Sequence, residues 1–93
     1  VSTKDYLTMV EIADKVKATV TTEGWGIIRQ YLSIRREQCK EAFMQAVTNE
    51  DFLRIQAQAL AIDMIIAEVE GILLGGKQAE ELLRQAGLLN RNG

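Results

Sequence analysis

The sequence predicts an all-α protein: an antiparallel helical hairpin of two long helices, with a shorter N-terminal helix before it and a short C-terminal helix after it. Three observations carry that prediction. Proline is absent from the 93 residues, and most of the seven glycines fall near expected breaks or ends, so long helices meet little resistance. Apolar residues recur at three- and four-residue steps along most of the chain. Apolar residues make up 47% of it and aromatic residues only 5%, so the core must be mostly aliphatic and alanine-rich, as close helix packing requires.

A chain of this length allows a single domain, residues 1–93. Its first periodic segment, about 4–20, places Tyr6, Met9, Val10, Ala13, Val16 and Val20 on one face. Ser2 or Thr3 can cap its start. Thr19, Thr21 and Thr22 crowd its end with β-branched residues that compete poorly for helix, so a break is expected near Thr21. Thr22 can cap the next helix, and Glu23 sets a negative charge on its first turn.

That second helix, about 23–47, carries Trp25, Ile28, Leu32, Cys39, Ala42, Phe43 and Ala46 on one face. A stop is expected at Val47-Thr48-Asn49, where Thr48 and Asp51 have the spacing of a capping box. A turn this tight makes the flanking helices antiparallel. The third helix, about 49–74, is apolar on two sides. One side is lined by Phe52, Ile55, Ala59, Ile62, Ile66, Val69 and Leu73, the other by Leu53, Leu60, Met64 and Ala67. Consecutive glycines suit a left-handed C-terminal cap, so Gly75-Gly76 is read as its end. A short fourth helix, about 77–86, and a flexible polar tail, 87–93, complete the chain.

Folding the hairpin about Thr48 makes pairs. Trp25 falls opposite Gly71, which is expected to leave space for the indole. Arg35 projects into the apolar stripe between Leu32 and Cys39, and Asp63 lies near it in height, so an Arg35–Asp63 ion pair is expected.

Composition excludes several function classes. The net charge of −2 gives no general attraction to nucleic acid or anionic membrane. With one cysteine, Cys39, and no histidine, neither an internal disulfide nor the usual zinc-ligand sets can form. No cofactor or small-molecule substrate is expected. No apolar stretch approaches the length of a membrane helix, and the N-terminus lacks the pattern of a secretory signal, so a soluble, intracellular protein is expected. Carboxylates such as Glu37 and Glu41, or Glu68 and Glu70, lie on the solvated sides of helices and do not form an acid–base pair. Gly75-Gly76-Lys77 lacks the strand and spacing of a phosphate loop. The chain is read as not an enzyme.

Two features remain. Arg29, Arg36 and Lys40 share one side of the second helix and form the one basic cluster, a candidate contact for an anion or an acidic partner. The third helix carries Glu50, Asp51, Asp63, Glu68 and Glu70 against Arg54 alone, so pairing between the helices, or between subunits, accounts for the asymmetry and is the preferred reading. The second feature is surplus apolar surface: Leu53, Leu60, Met64 and Ala67, with Ile27, Ile34, Ile65 and Ile72 outside the main stripes. Contiguous apolar surface of this sort marks interfaces, which implies a homo-oligomer or a place in a larger assembly.

The run Trp25-Gly26-Ile27-Ile28-Arg29-Gln30-Tyr31-Leu32 leads through a charged stretch to Asn49-Glu50-Asp51-Phe52-Leu53-Arg54-Ile55-Gln56 and an apolar helix. This order resembles small helical-hairpin proteins encoded in the structural, head or head-to-tail, gene modules of tailed bacteriophages. The resemblance covers about Trp25 to Val69 and brings no functional residue set with it. It implies an assembly protein, in the virion or the host cytoplasm, that contacts itself or other virion proteins through helix faces. The competing expectation is a small phage regulator or anti-defence protein that binds a host protein, nucleotide or nucleic acid through Arg29, Arg36 and Lys40.

Overall fold

The computed structural model describes residues 2–88, which form three α-helices and no strand. They are α1 (Thr3–Val20), α2 (Glu23–Gln45) and α3 (Asn49–Gln85). Each begins at a hydroxyl side chain that accepts a hydrogen bond from an otherwise unpaired backbone N–H. Ser2 accepts from the Asp5 N–H at 3.3 Å while the Asp5 carboxylate accepts from the Ser2 N–H at 3.2 Å, a reciprocal capping box. Thr22 accepts from the Trp25 N–H at 3.2 Å, and Thr48 from the Asp51 N–H at 3.1 Å.

The expected break at Gly75-Gly76 is absent. α3 runs through both glycines, so the segment expected as a separate fourth helix is its C-terminal part. The helix stops instead at Gly87, whose φ of 72° is the left-handed conformation that glycine adopts without a Cβ clash. There the Gly87 N–H donates to the Arg84 carbonyl at 3.0 Å and the Leu88 N–H to the Leu83 carbonyl at 2.9 Å. These two bonds constitute a Schellman motif. Most of the expected tail, 89–93, lies outside the described residues.

Why α3 continues is visible in its phase. Phe52, Ile55, Ala59, Ile62, Ile66, Val69, Leu73, Gly76, Glu80 and Leu83 follow one another in alternating steps of three and four, and every one is buried or half-buried. That is the 3.5-residue repeat of a helix facing other helices along its length. Glu80, the charged member of the line, directs its carboxylate to Arg84 at 3.2 Å.

The chain divides into two compact units. In one, 22–67, α2 and the first part of α3 bury Cys39 and Ile55, and the Phe43 and Phe52 rings pack tilted with centroids 5.1 Å apart. In the other, 1–21 with 68–93, Val10, Ala79 and Leu83 form a buried cluster with Tyr6 packed against it. The paired glycines belong to this second unit and explain themselves there. A Cβ on Gly76 would overlap the Ala13 methyl, and one on Gly75 would touch the Met9 side chain at 3.4 Å. They are packing residues that let two helix backbones approach closely.

Among the described residues no helix is long and apolar enough to cross a membrane.

Candidate interaction surface

Within the 22–67 unit, the side of α3 turned away from Ile55 and Ile62 is apolar and open to solvent. Leu53, Leu60 and Met64 are each more than half exposed, and Ala67 is exposed beside them. Ala57, which belongs to no stripe expected from the sequence, falls on the same line and is also exposed. Together Leu53, Ala57, Leu60, Met64 and Ala67 repeat the alternating four- and three-residue steps of the inner line. α3 therefore has two lines of coiled-coil period, one covered and one bare. Ile65 on α3 and Ile27 and Ile34 on α2 add to the bare apolar area, each about half exposed.

In the other unit the exposed large apolar residues are fewer, and some of them line one groove. Ile72, with a third of its surface accessible, joins Met9, Ile12, Gly71, Gly75 and Gly76 around a shallow apolar groove of about 190 Å³. Leu74, more than half exposed, also belongs to this unit. Ile12 and Leu74 were not expected, and their signal was only that they fit no buried stripe.

Large apolar side chains lose free energy when they leave water, roughly 25 cal/mol for each Å² covered. The buried apolar residues among those described are Val10, Ala13, Cys39, Ile55, Ala79 and Leu83, and the exposed large hydrophobics outnumber them. Exposed apolar area of this extent is the main feature this surface offers for recognition.

The basic cluster takes a different form from the one expected. Asp63 is bound by Arg36, not Arg35: the Arg36 Nε donates to the Asp63 Oδ1 at 3.1 Å. The cause is helix phase. From Leu32 the inward line of α2 steps four residues to Arg36 and then three to Cys39, and Arg36 is half-buried while Arg35 is exposed. The expected Arg35–Asp63 pair thus misses by one residue, which is about 100° around a helix. Lys40 is held by Glu37 at 3.0 Å along its own helix, and Arg29 also has a polar or electrostatic partner. Arg35 instead lines an open groove of about 340 Å³ with Gln38, Cys39, Gln58, Ala61 and Ile62.

The expected Trp25–Gly71 packing pair spans the two units, and a Cβ on Gly71 would meet nothing within 4 Å.

Cys39 is a buried free thiol, and no group of three or more His, Cys, Asp or Glu side chains among the described residues could hold a metal ion. Among those residues, no buried side-chain nitrogen or oxygen lacks a hydrogen-bond partner. The chemistry offered by this surface is therefore that of apolar helix faces edged by exposed ion pairs.

Compared with protein-family models, with curated proteins and with solved structures, the chain matches none.

Proposed function

We propose that this chain is a non-enzymatic structural or assembly protein of a tailed bacteriophage, in the virion or the host cytoplasm, acting through helix-face contacts with itself or with other virion proteins. The observation that carries the assembly reading is the bare apolar line of α3, in which Leu53, Leu60 and Met64 each stand more than half exposed. A line with coiled-coil period is suited to another helix and poorly suited to water. The phage setting rests on the resemblance over Trp25 to Val69.

The scaffold for that surface is an antiparallel hairpin of α2 and α3. Two cross-helix contacts support this arrangement: Phe43 meets Phe52 close to the turn, and Arg36 meets Asp63 farther from it, so the numbers rise on one helix as they fall on the other. The regulator reading, which needs Arg29, Arg36 and Lys40 as an anion contact, has weaker support because Arg36 and Lys40 already face carboxylates.

The solution mass of the protein, measured by light scattering at low and high salt, tests self-contact. A salt-resistant oligomer that Leu60→Glu dissociates is expected, since apolar contacts are not screened while phosphate and acidic contacts are. A monomer at micromolar concentration in both salts overturns self-contact, and binding to a polyanion that salt and Arg36→Ala both weaken would establish the regulator reading in its place.

A further inference from the structure

We propose that the bare line of α3 takes the same line of a second copy as an antiparallel helix pair, with its two-fold axis beside Ala61. This rests on the assembly reading and names its partner.

The first ground is period. Leu53, Ala57, Leu60, Met64 and Ala67 keep an average step of 3.5 residues, at which an apolar line stays in contact with a partner helix over several turns. The occupant is therefore a helix, and the alternation of large with small side chains suits close approach.

The second ground is charge. Beside the line, Arg54, Ala61 and Glu68 follow one another on one flank of α3, and Gln56 and Asp63 lie on the other. A parallel, in-register pair sets Asp63 of one copy against Glu68 of the second, a like-charge contact at each flank. An antiparallel pair centred on Ala61 sets Arg54 against Glu68 of the second copy, and the symmetry repeats that opposite-charge contact at the other end. In the same register Leu60 lies over Met64 of the second copy and Ala57 over Ala67. The two Asp63 carboxylates approach across the axis on the remaining flank, and each brings its own counter-ion, the Arg36 guanidinium at 3.1 Å. Arg54 is available for the contact: its present bond to Asp51 is 3.4 Å long and well exposed.

The test places nitroxide spin labels on Glu50→Cys or Ala61→Cys, each in a Cys39→Ala background, and measures the same-site distance between copies. The axial separation of two identical sites grows by twice the helical rise for every residue away from the axis, so the Glu50 labels are expected roughly 30 Å farther apart than the Ala61 labels. Equal distances at the two sites would mean a parallel pair and overturn the proposal. Arg54→Glu is expected to weaken self-association about tenfold or more, with recovery in Arg54→Glu/Glu68→Arg; no recovery also overturns it. All of these substitutions except Cys39→Ala, a small change at a buried position, are at exposed positions, and far-UV circular dichroism verifies that the helices persist. An oligomer whose mass Leu60→Glu leaves unchanged overturns this seam while keeping the assembly reading, whereas a monomer at every concentration overturns self-contact altogether.

Discussion

Gly76 on α3 lies so close to Ala13 on α1 that a Cβ on the glycine would overlap the alanine methyl and stand 3.3 Å from the Met9 carbonyl oxygen. In an exposed helix, Gly→Ala is stabilising by about 1 kcal/mol through backbone entropy. Here the added methyl meets a Cβ and backbone, which cannot rotate away, and overpacking of this kind costs roughly 1–3 kcal/mol. Gly76→Ala should therefore destabilise the protein on balance, by up to about 2 kcal/mol. Urea unfolding followed by circular dichroism measures it, and a stabilised variant would mean that the two helices are not in close contact.

Gly71 provides the opposite case in the same helix. A Cβ there meets nothing within 4 Å, so Gly71→Ala gains helix propensity with no steric penalty. It should raise stability by about 0.5–1 kcal/mol. Thermal denaturation of the two single variants side by side suffices, because opposite signs are required and equal signs would contradict the close approach of Gly76 to Ala13.

These two glycines also show what the sequence makes legible. Starts of helices are local events, so the hydroxyls of Thr22 and Thr48 could be read directly and that of Ser2 as one of two candidates, as could the inner apolar line from Phe52 to Leu73. The end of α3 is decided by tertiary contact, and two adjacent glycines give the same local signal whether they stop a helix or admit a neighbour's backbone. The deciding signal was longer in range: Leu73, Gly76, Glu80 and Leu83 keep the three-and-four step across the supposed break. The choice between Arg35 and Arg36 as the partner of Asp63 turns on one residue of helix phase, which a stripe containing both three- and four-residue steps does not define. The bare face of α3 was legible because it is a surplus: more apolar positions than helices this short can cover.

Leu83 is the largest fully buried side chain, 2% exposed in the cluster with Val10 and Ala79, and its carbonyl accepts the Leu88 N–H of the helix cap. Leu83→Ala removes buried methyl groups and leaves a cavity, for which about 2–5 kcal/mol is the usual loss. Its neighbour Leu82 is nearly half exposed, and Leu82→Ala should cost well under about 1 kcal/mol. Equal losses for the two variants would show that α3 is rotated away from the phase that turns Leu83 inward and Leu82 outward. Hydrogen exchange at Leu88 should accelerate in Leu83→Ala, because the cap depends on the same turn.

Arg36 and Asp63 meet across helices with side chains 37% and 51% exposed, so solvent screens them strongly. A double-mutant cycle with Arg36→Ala and Asp63→Ala should return a coupling of about 0.2–1 kcal/mol at low salt, shrinking as salt is added. The parallel cycle with Arg35→Ala should give no coupling above error, because Arg35 is one step around the helix from the inward line. Larger coupling through Arg35 would restore the pairing expected from the sequence and remove the counter-ion that the proposed antiparallel pair needs beside its axis. Reversing both charges, Arg36→Asp with Asp63→Arg, tests the same geometry from the other side. It should recover most of the stability lost in either single reversal, since each single reversal leaves two like charges facing across the helices and the double variant leaves none.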